Sequence, residues 1–152
     1  MKNKNLVLGI GNPLLTDDRA GIEVVEEIVR EGLPVDTEIL YTVGFEVIDK
    51  VLGYESVIVV DASKLGHSPG TIVQASLDDI FNTHALVNSH AITLGTTLKT
   101  GYILFPDEMP SNLRIILIEV DDIDHFSDQC TPKVKSSVHK VVKIIKDHFA
   151  AC

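Results

Sequence analysis

Three carboxylates stand where the chain could gather them into one crevice. The loop Gly9-Ile10-Gly11-Asn12-Pro13-Leu14-Leu15-Thr16-Asp17-Asp18-Arg19-Ala20-Gly21 delivers two of them, Asp17 and Asp18, to the start of a helix. Asp61 directly follows the β-branched run Val57-Ile58-Val59-Val60. Crowded carboxylates raise one another's pKa unless a cation compensates them, so such a group either shares a proton or holds a divalent metal. The Asp-Ser/Thr-Gly strand-loop signature of proton-sharing aspartic proteases is absent, which leaves the metal. A metal reading asks for a histidine, and the chain has six: His67, His84, His90, His125, His139 and His148. Surface positions suffice for His139 and His148 on a terminal helix, for His125 in an acidic stretch and for His67 in a turn. His90 follows Ser89 in the first turn of a predicted helix, where the dipole disfavours imidazolium and keeps a neutral, ligating ring. His84 is its competitor.

Each of these residues also has a plainer reading. Asp17 and Asp18 fit a helix N-cap plus a first-turn carboxylate. Asp61 fits a strand-end aspartate bonding its local backbone. The glycine loop invites a dinucleotide reading, but G-x-G-x-x-G requires glycine where Leu14 stands. A phosphate at that helix N-terminus would also meet the two aspartates at close range. No Ser-His-Asp or Cys-His arrangement is apparent. Cys130 and Cys152 lack pairing or metal-type spacing, and Cys130, just before a helix cap, reads as structural.

The elements that must position these residues follow from the apolar pattern. Leu6 to Gly11 is a short apolar run entering the loop, and Ile22, Val25, Ile28 and Val29 recur at helical spacing until Gly32. Thr37 to Val43 is rich in β-formers, and Phe45, Ile48, Val51 and Leu52 fit a short helix closed by Gly53. The continuous run Val57 to Val60 predicts a strand covered on both faces. A parallel βαβαβ start results. Thr71 to Ser76 reads as a fourth strand, and the loop Ala62 to Gly70 is too short for a parallel crossover, so this strand is expected to be antiparallel. Ser89 caps a helix reaching roughly Thr100, Leu113 to Val120 forms the fifth strand, and Thr131-Pro132 caps a final helix. That helix carries Val134, Val138, Val141, Val142, Ile145 and Phe149 on one stripe and Lys133, Lys135, Lys140, Lys143 and Lys146 on a solvated face. In a sheet of order 2-1-3, ligands bind beyond the carboxyl ends of strands one and three, where the chain leaves in opposite directions. The Asp17-Asp18 loop and Asp61 both belong to that switch point.

Composition bounds the function. The 152 residues are 45% hydrophobic and 23% charged with a formal net charge of −9, which suits a single domain spanning 1–152. The acidic balance argues against a nucleic-acid or anionic-membrane surface. No apolar run approaches the ~20 residues of a spanning helix, and the apolar stretch behind the basic start, Leu6 to Gly11, is too short for a signal peptide. A cytoplasmic α/β domain, three-layered and with a mixed sheet, is the expectation.

The motif Gly9-x-Gly11-Asn12-x-Leu14-x-x-Asp17-Asp18-x-x-Gly21, followed by Val60-Asp61-Ala62, Pro69-Gly70-Thr71, Ser89-His90 and Thr131-Pro132-x-Val134, resembles the [NiFe]-hydrogenase maturation endopeptidases. The order and spacing agree from Leu6 to about Ile145. The resemblance implies an α/β/α sandwich of phosphorylase/hydrolase-like type, with a five-stranded, mostly parallel twisted sheet and one antiparallel strand. It also implies removal of a C-terminal extension from a hydrogenase large-subunit precursor after nickel insertion. Nickel would be supplied by that precursor, with no organic cofactor. Family members bind the metal through an acidic residue in the first loop, an aspartate after strand three and a histidine before the middle helix. The matching positions are Asp18, Asp61 and His90. Many members have glutamate where this chain has Asp18. Many also carry a Gly-Ile-Glu-Pro-like stretch where this chain reads Ile118-Glu119-Val120-Asp121-Asp122. Two other functions fit less of the chain. One is a non-catalytic nickel-binding or chaperone module of hydrogenase assembly. The other is a peptidyl-tRNA hydrolase, whose glycine loop resembles Gly9 to Pro13 but whose histidine is replaced here by the Asp17-Asp18 stretch.

Overall fold

The computed structural model describes residues 4–82 and 91–150. Its sheet has the order β2-β1-β3-β5-β4, with β1 at Asn5–Ile10, β2 at Asp36–Leu40, β3 at Ser56–Ser63, β4 at Ile72–Ala75 and β5 at Asn112–Glu119. The helices are α1 (Ala20–Glu31), α2 (Phe45–Val51), α3 (Leu77–Asn82), α4 (Ala91–Leu104) and α5 (Pro132–Ala150). All pairs are parallel except β4 with β5. The short β3–β4 connection therefore forces the reversal expected of it.

The period-two alternation of a strand separates two cores. Leu6, Leu8, Val57, Val59, Ile115 and Leu117 face one side with Val47 and Ile48 of α2 and Ala91, Leu94 and Leu98 of α4. Val7, Ile58, Val60, Ile116 and Ile118 face the other, against Val24 and Ile28 of α1 and Val134, Val138, Val141 and Ile145 of α5. The lysines of α5 lie on its exposed side. β3 is buried along its whole length, as a continuous β-branched run at the sheet centre should be. No helix of the described residues is long and apolar enough to cross a membrane.

Several boundaries differ from expectation. β2 ends at Leu40 rather than Val43, and Tyr41 turns outward. β3 does not end at Val60. Its pairing with β1 stops at Gly9 opposite Val60, but its pairing with β5 continues through Asp61 opposite Leu117, Ala62 opposite Ile118 and Ser63 opposite Glu119. Asp61 is therefore inside the strand, because the neighbour on one side outlasts the neighbour on the other. α3 has no counterpart in the apolar pattern, although Ser76 and Asp79 cap it reciprocally, Ser76 N–H donating to Asp79 Oδ2 at 2.9 Å and Asp79 N–H to Ser76 Oγ at 3.2 Å. α4 extends to Leu104 instead of Thr100, and its predicted cap Ser89 lies outside the described residues.

Candidate functional site

The site grows from three glycines that let backbones touch. A Cβ on Gly21 would stand 2.5 Å from the Val60 carbonyl oxygen and 2.7 Å from that of Ile10. The first turn of α1 thus sits in the notch between the ends of β1 and β3. A Cβ on Gly11 would lie 2.1 Å from the Asp18 carbonyl oxygen, which also accepts the Asn12 N–H at 3.3 Å. Gly9 in turn passes beneath Gly21, where a Cβ would meet the Gly21 carbonyl oxygen at 2.4 Å. The glycine motif serves close helix–sheet packing here. It folds the first loop back on itself and sends the 3-10 turn Thr16–Arg19 over the end of β3.

Within that turn the adjacent aspartates part company. Asp17 is fully buried. Its Oδ2 accepts the N–H groups of Asp121 at 2.8 Å and Asp122 at 2.9 Å. Its Oδ1 accepts the Thr131 N–H at 2.7 Å, and the Thr131 hydroxyl lies 2.9 Å from Oδ2. Asp17 N–H donates to the Asp122 carbonyl at 2.9 Å, and Thr16 reaches the His125 carbonyl through both its N–H (3.1 Å) and its hydroxyl (2.6 Å). The loop after β5 is thereby strapped to the loop after β1. The capping reading of the pair does not hold: α1 is preceded by Arg19 at its N-cap, with no side-chain cap bond. Thr131 likewise turns its hydroxyl to Asp17. Arg19 secures the loop from behind, its Nη1 donating to the Pro13 carbonyl at 2.7 Å and its Nε to Glu23 Oε1 at 3.1 Å.

Asp18 is half-buried and presents its charge to Asp61. Asp61 is buried, and its Oδ1 accepts the Ala62 N–H at 2.8 Å. Burial first, and the charge of Asp18 second, push the Asp61 carboxyl up to about 8, with the Ala62 bond pulling the other way. Among the described residues no basic side chain figures in that balance. Asp61, stripped of water and without a counter-charge among the described residues, and Asp18 beside it are the acids that could hold a cation here. With both Asp17 oxygens engaged by backbone and hydroxyl donors, Asp18 is the first-loop acid whose charge acts on Asp61.

The structure brings Asp18 and Asp61 together. His90, like His84, lies outside the described residues. The helix that follows it is oriented suitably: Ala91 is buried in the same cluster as Val57 and Val59, the face on which Asp61 continues. The far end of α4 packs at the opposite sheet edge, where a Cβ on Gly101 would meet Met109 and Gly53 N–H donates to the Glu108 carbonyl at 2.8 Å. α4 therefore starts at the edge where β3 ends. The other histidines do not join the two acids, since no group of three His, Cys, Asp or Glu side chains able to hold a metal occurs among the described residues. His67, His125 and His139 are exposed as expected, His125 with Nδ1 2.7 Å from Asp122 Oδ2. Cys130 is buried beside Glu23, and burial pushes its thiol far above the ordinary range, so no thiolate is on offer.

Glu119 escaped the sequence reading except as a departure from a motif. It is buried opposite Ser63, and both its carboxylate oxygens accept the Leu65 N–H, at 2.9 and 3.1 Å. With its main chain also bonded to Gly70 and Thr71, it pins the loop that leaves β3. A strand-terminal glutamate followed by Val-Asp-Asp was the available signal.

The class is that of an α/β protein with two acidic side chains at the switch point of its sheet. Comparison with known proteins narrows that class. A family model described as hydrogenase maturation protease matches residues 22–148. The hydrogenase 2 maturation protease of Escherichia coli is 29% identical over 147 residues, covering 91% of this chain and 85% of the relative. The hydrogenase expression/formation protein HupD of Thiocapsa roseopersicina is 25% identical over 150 residues, 95% of this chain and 67% of its own length. Among solved structures, the E. coli hydrogenase maturating endopeptidase HybD superimposes with a TM-score of 0.71 at 27% identity, over 95% of this chain and 90% of that one. The Thermococcus kodakarensis HybD gives 0.74 at 24% identity over 97% and 98%, a likeness of fold. The chain belongs to the hydrogenase maturation protease family.

Proposed function

We propose that this chain is an endopeptidase that removes the C-terminal extension of a hydrogenase large-subunit precursor after nickel insertion. Asp18, Asp61 and His90 recognise the nickel carried by that precursor. The observation that supports this most directly is Asp61, a buried carboxylate acted on by the charge of Asp18 and without a counter-charge among the described residues. A cation seated between them replaces the proton that Asp61 otherwise holds. Two carboxylate oxygens and one imidazole leave coordination positions for groups of the precursor, and nickel(II) ranks high in affinity for such donors. Nickel held jointly in this way supplies a polarised carbonyl or an activated water next to the scissile peptide. The protein contributes position: the Asp17 strap and the glycine notch fix Asp18 over the end of β3, so the peptide is cut only when the metal brings it there.

The test is incubation with a nickel-loaded and a nickel-free precursor, followed by mass. Loss of a C-terminal peptide from the loaded form alone is the expected result. Asp18→Asn, Asp61→Asn and His90→Ala should each abolish processing while the protein stays folded. Full activity in all three overturns the site, and binding without cleavage replaces the endopeptidase with a nickel-dependent chaperone.

A further inference from the structure

The strap that buries Asp17 also turns two large apolar side chains outward. Leu14 is 62% exposed and Phe126 81% exposed. Their backbones are fixed together: Leu15 and Phe126 form an isolated antiparallel bridge, and Ser127 N–H donates to the Leu14 carbonyl at 3.0 Å. A second exposed pair, Tyr41 at 65% and Phe45 at 74%, follows β2 on the other side of the first loop. It is tied to that loop where Gly11 N–H donates to the Leu40 carbonyl at 3.1 Å. Scattered exposed apolar residues need no explanation, but these four all stand on or directly after the connections that leave β1, β2 and β5, at the end of the sheet where Asp61 lies. Along the chain around Phe126 the fixed charge is of one sign, since Asp121, Asp122, Asp124 and Asp128 fall within eight residues that contain no Lys or Arg, and the basic side chains Arg19, Arg30 and Lys135 line a cavity with Asp128.

We propose that Leu14 and Phe126 form a docking lip for an extended segment of the precursor in which an apolar side chain is flanked by lysine or arginine. This rests on the processing function proposed above and deepens it. The apolar residue of the segment packs on Phe126, with Leu14 on the adjoining turn, and its cationic neighbours meet the aspartates of the loop after β5. That loop is the same strap that holds Asp18 in place, so a segment docked on the lip leads directly to the two carboxylates. Complementary charge of this kind steers encounter and fixes register.

The double variant Leu14→Ser/Phe126→Ser tests the lip, since neither side chain belongs to the core clusters and folding should survive. Steady-state cleavage of the nickel-loaded precursor should show KM raised about tenfold or more with kcat kept. Asp121→Asn/Asp124→Asn/Asp128→Asn should raise KM as well and flatten its dependence on salt. Equilibrium binding of the same precursor, measured in parallel, separates the two proposals. A wild-type protein that cleaves, with KM unmoved in the double variant, overturns the lip and leaves the endopeptidase standing. A wild-type protein that binds without cleaving overturns the endopeptidase, and a tenfold weaker affinity in the double variant still upholds the lip. Sedimentation in which the double variant dissociates a dimer, with KM unchanged, makes a second copy of this chain the occupant and overturns the proposal. A wild-type protein that neither binds nor cleaves overturns both.

Discussion

Asp61→Asn should make this protein more stable while removing its activity. The Asp61 carboxyl sits at about 8 in the fold against an ordinary 3.8, chiefly through burial and then through Asp18. An acid whose pKa is raised on folding contributes most at low pH, and its contribution is lost as pH rises through the folded value. For Asp61 that window runs from about pH 4 to about pH 8. Across it the native carboxyl costs about 1.4 kcal/mol per pH unit, which accumulates to about 4 kcal/mol at pH 7 as a ceiling. Relaxation and water entering the crevice reduce this, and about 2 kcal/mol at pH 7 is the expected gain. Asparagine is neutral at every pH, keeps an oxygen for the Ala62 N–H and nearly matches the volume of the acid. For a chain of this length, 2 kcal/mol corresponds to a rise in Tm of about 4–8 °C. The assay is urea unfolding of wild type and variant at half-unit steps from pH 4 to pH 8.5, with m-values compared to confirm that only stability has changed. The two midpoints should nearly coincide at pH 4 and separate steadily above it. A variant no more stable than wild type at pH 8, or a difference independent of pH, would refute the account of Asp61 as a carboxylate held without a counter-charge.

Two further substitutions test the scaffold of the site. Asp17→Ala strands the N–H groups of Asp121, Asp122 and Thr131 and should cost about 3 kcal/mol or more in urea unfolding, whereas Asp18→Asn, read in the same assay, should change stability little. Equal effects of the two would refute the division of roles between the neighbours. Gly21→Ala forces a methyl against the Val60 and Ile10 carbonyls and should destabilise by about 1–3 kcal/mol as α1 is pushed from the sheet; an unchanged midpoint would mean that the helix does not seat as closely as described.

Much of the fold was legible because it is dictated locally. The Val57–Val60 run demanded a central strand, the stripe Val134 to Ile145 a helix packed on a sheet, and the short Ala62–Gly70 connection an antiparallel β4. What resisted reading depends on partners distant in sequence. Nothing near Asp61 says that β5 continues its pairing three residues beyond the end of the β1 ladder, so the β-branched run ends at Val60, three residues short of Ser63. Nothing near Asp17 announces Asp121, Asp122 and Thr131, which lie 104 to 114 residues away. The capping signal at Ser76 and Asp79 is local, but the six residues Leu77–Asn82 are too few for a repeating apolar stripe to mark a helix. Even the glycine motif, correctly seen as a loop, gave no reason for its glycines until α1 was in place above Val60.

The division between Asp17 and Asp18 follows from the geometry of the turn that carries them. In a 3-10 turn successive side chains are about 120° apart, so three consecutive residues cannot all serve the same surface. With Thr16 and Asp17 turned inward to the strap, Asp18 is directed elsewhere, and the glycine notch makes that direction the end of β3. An adjacent acidic pair in such a turn is therefore a structural latch joined to a functional carboxylate. The latch explains why a second acid is present at all. A single N-cap would have anchored α1, but it could not have tied the loops after β1 and β5 together over the one strand whose end holds Asp61. The precision of the crevice thus depends on a residue that never enters it.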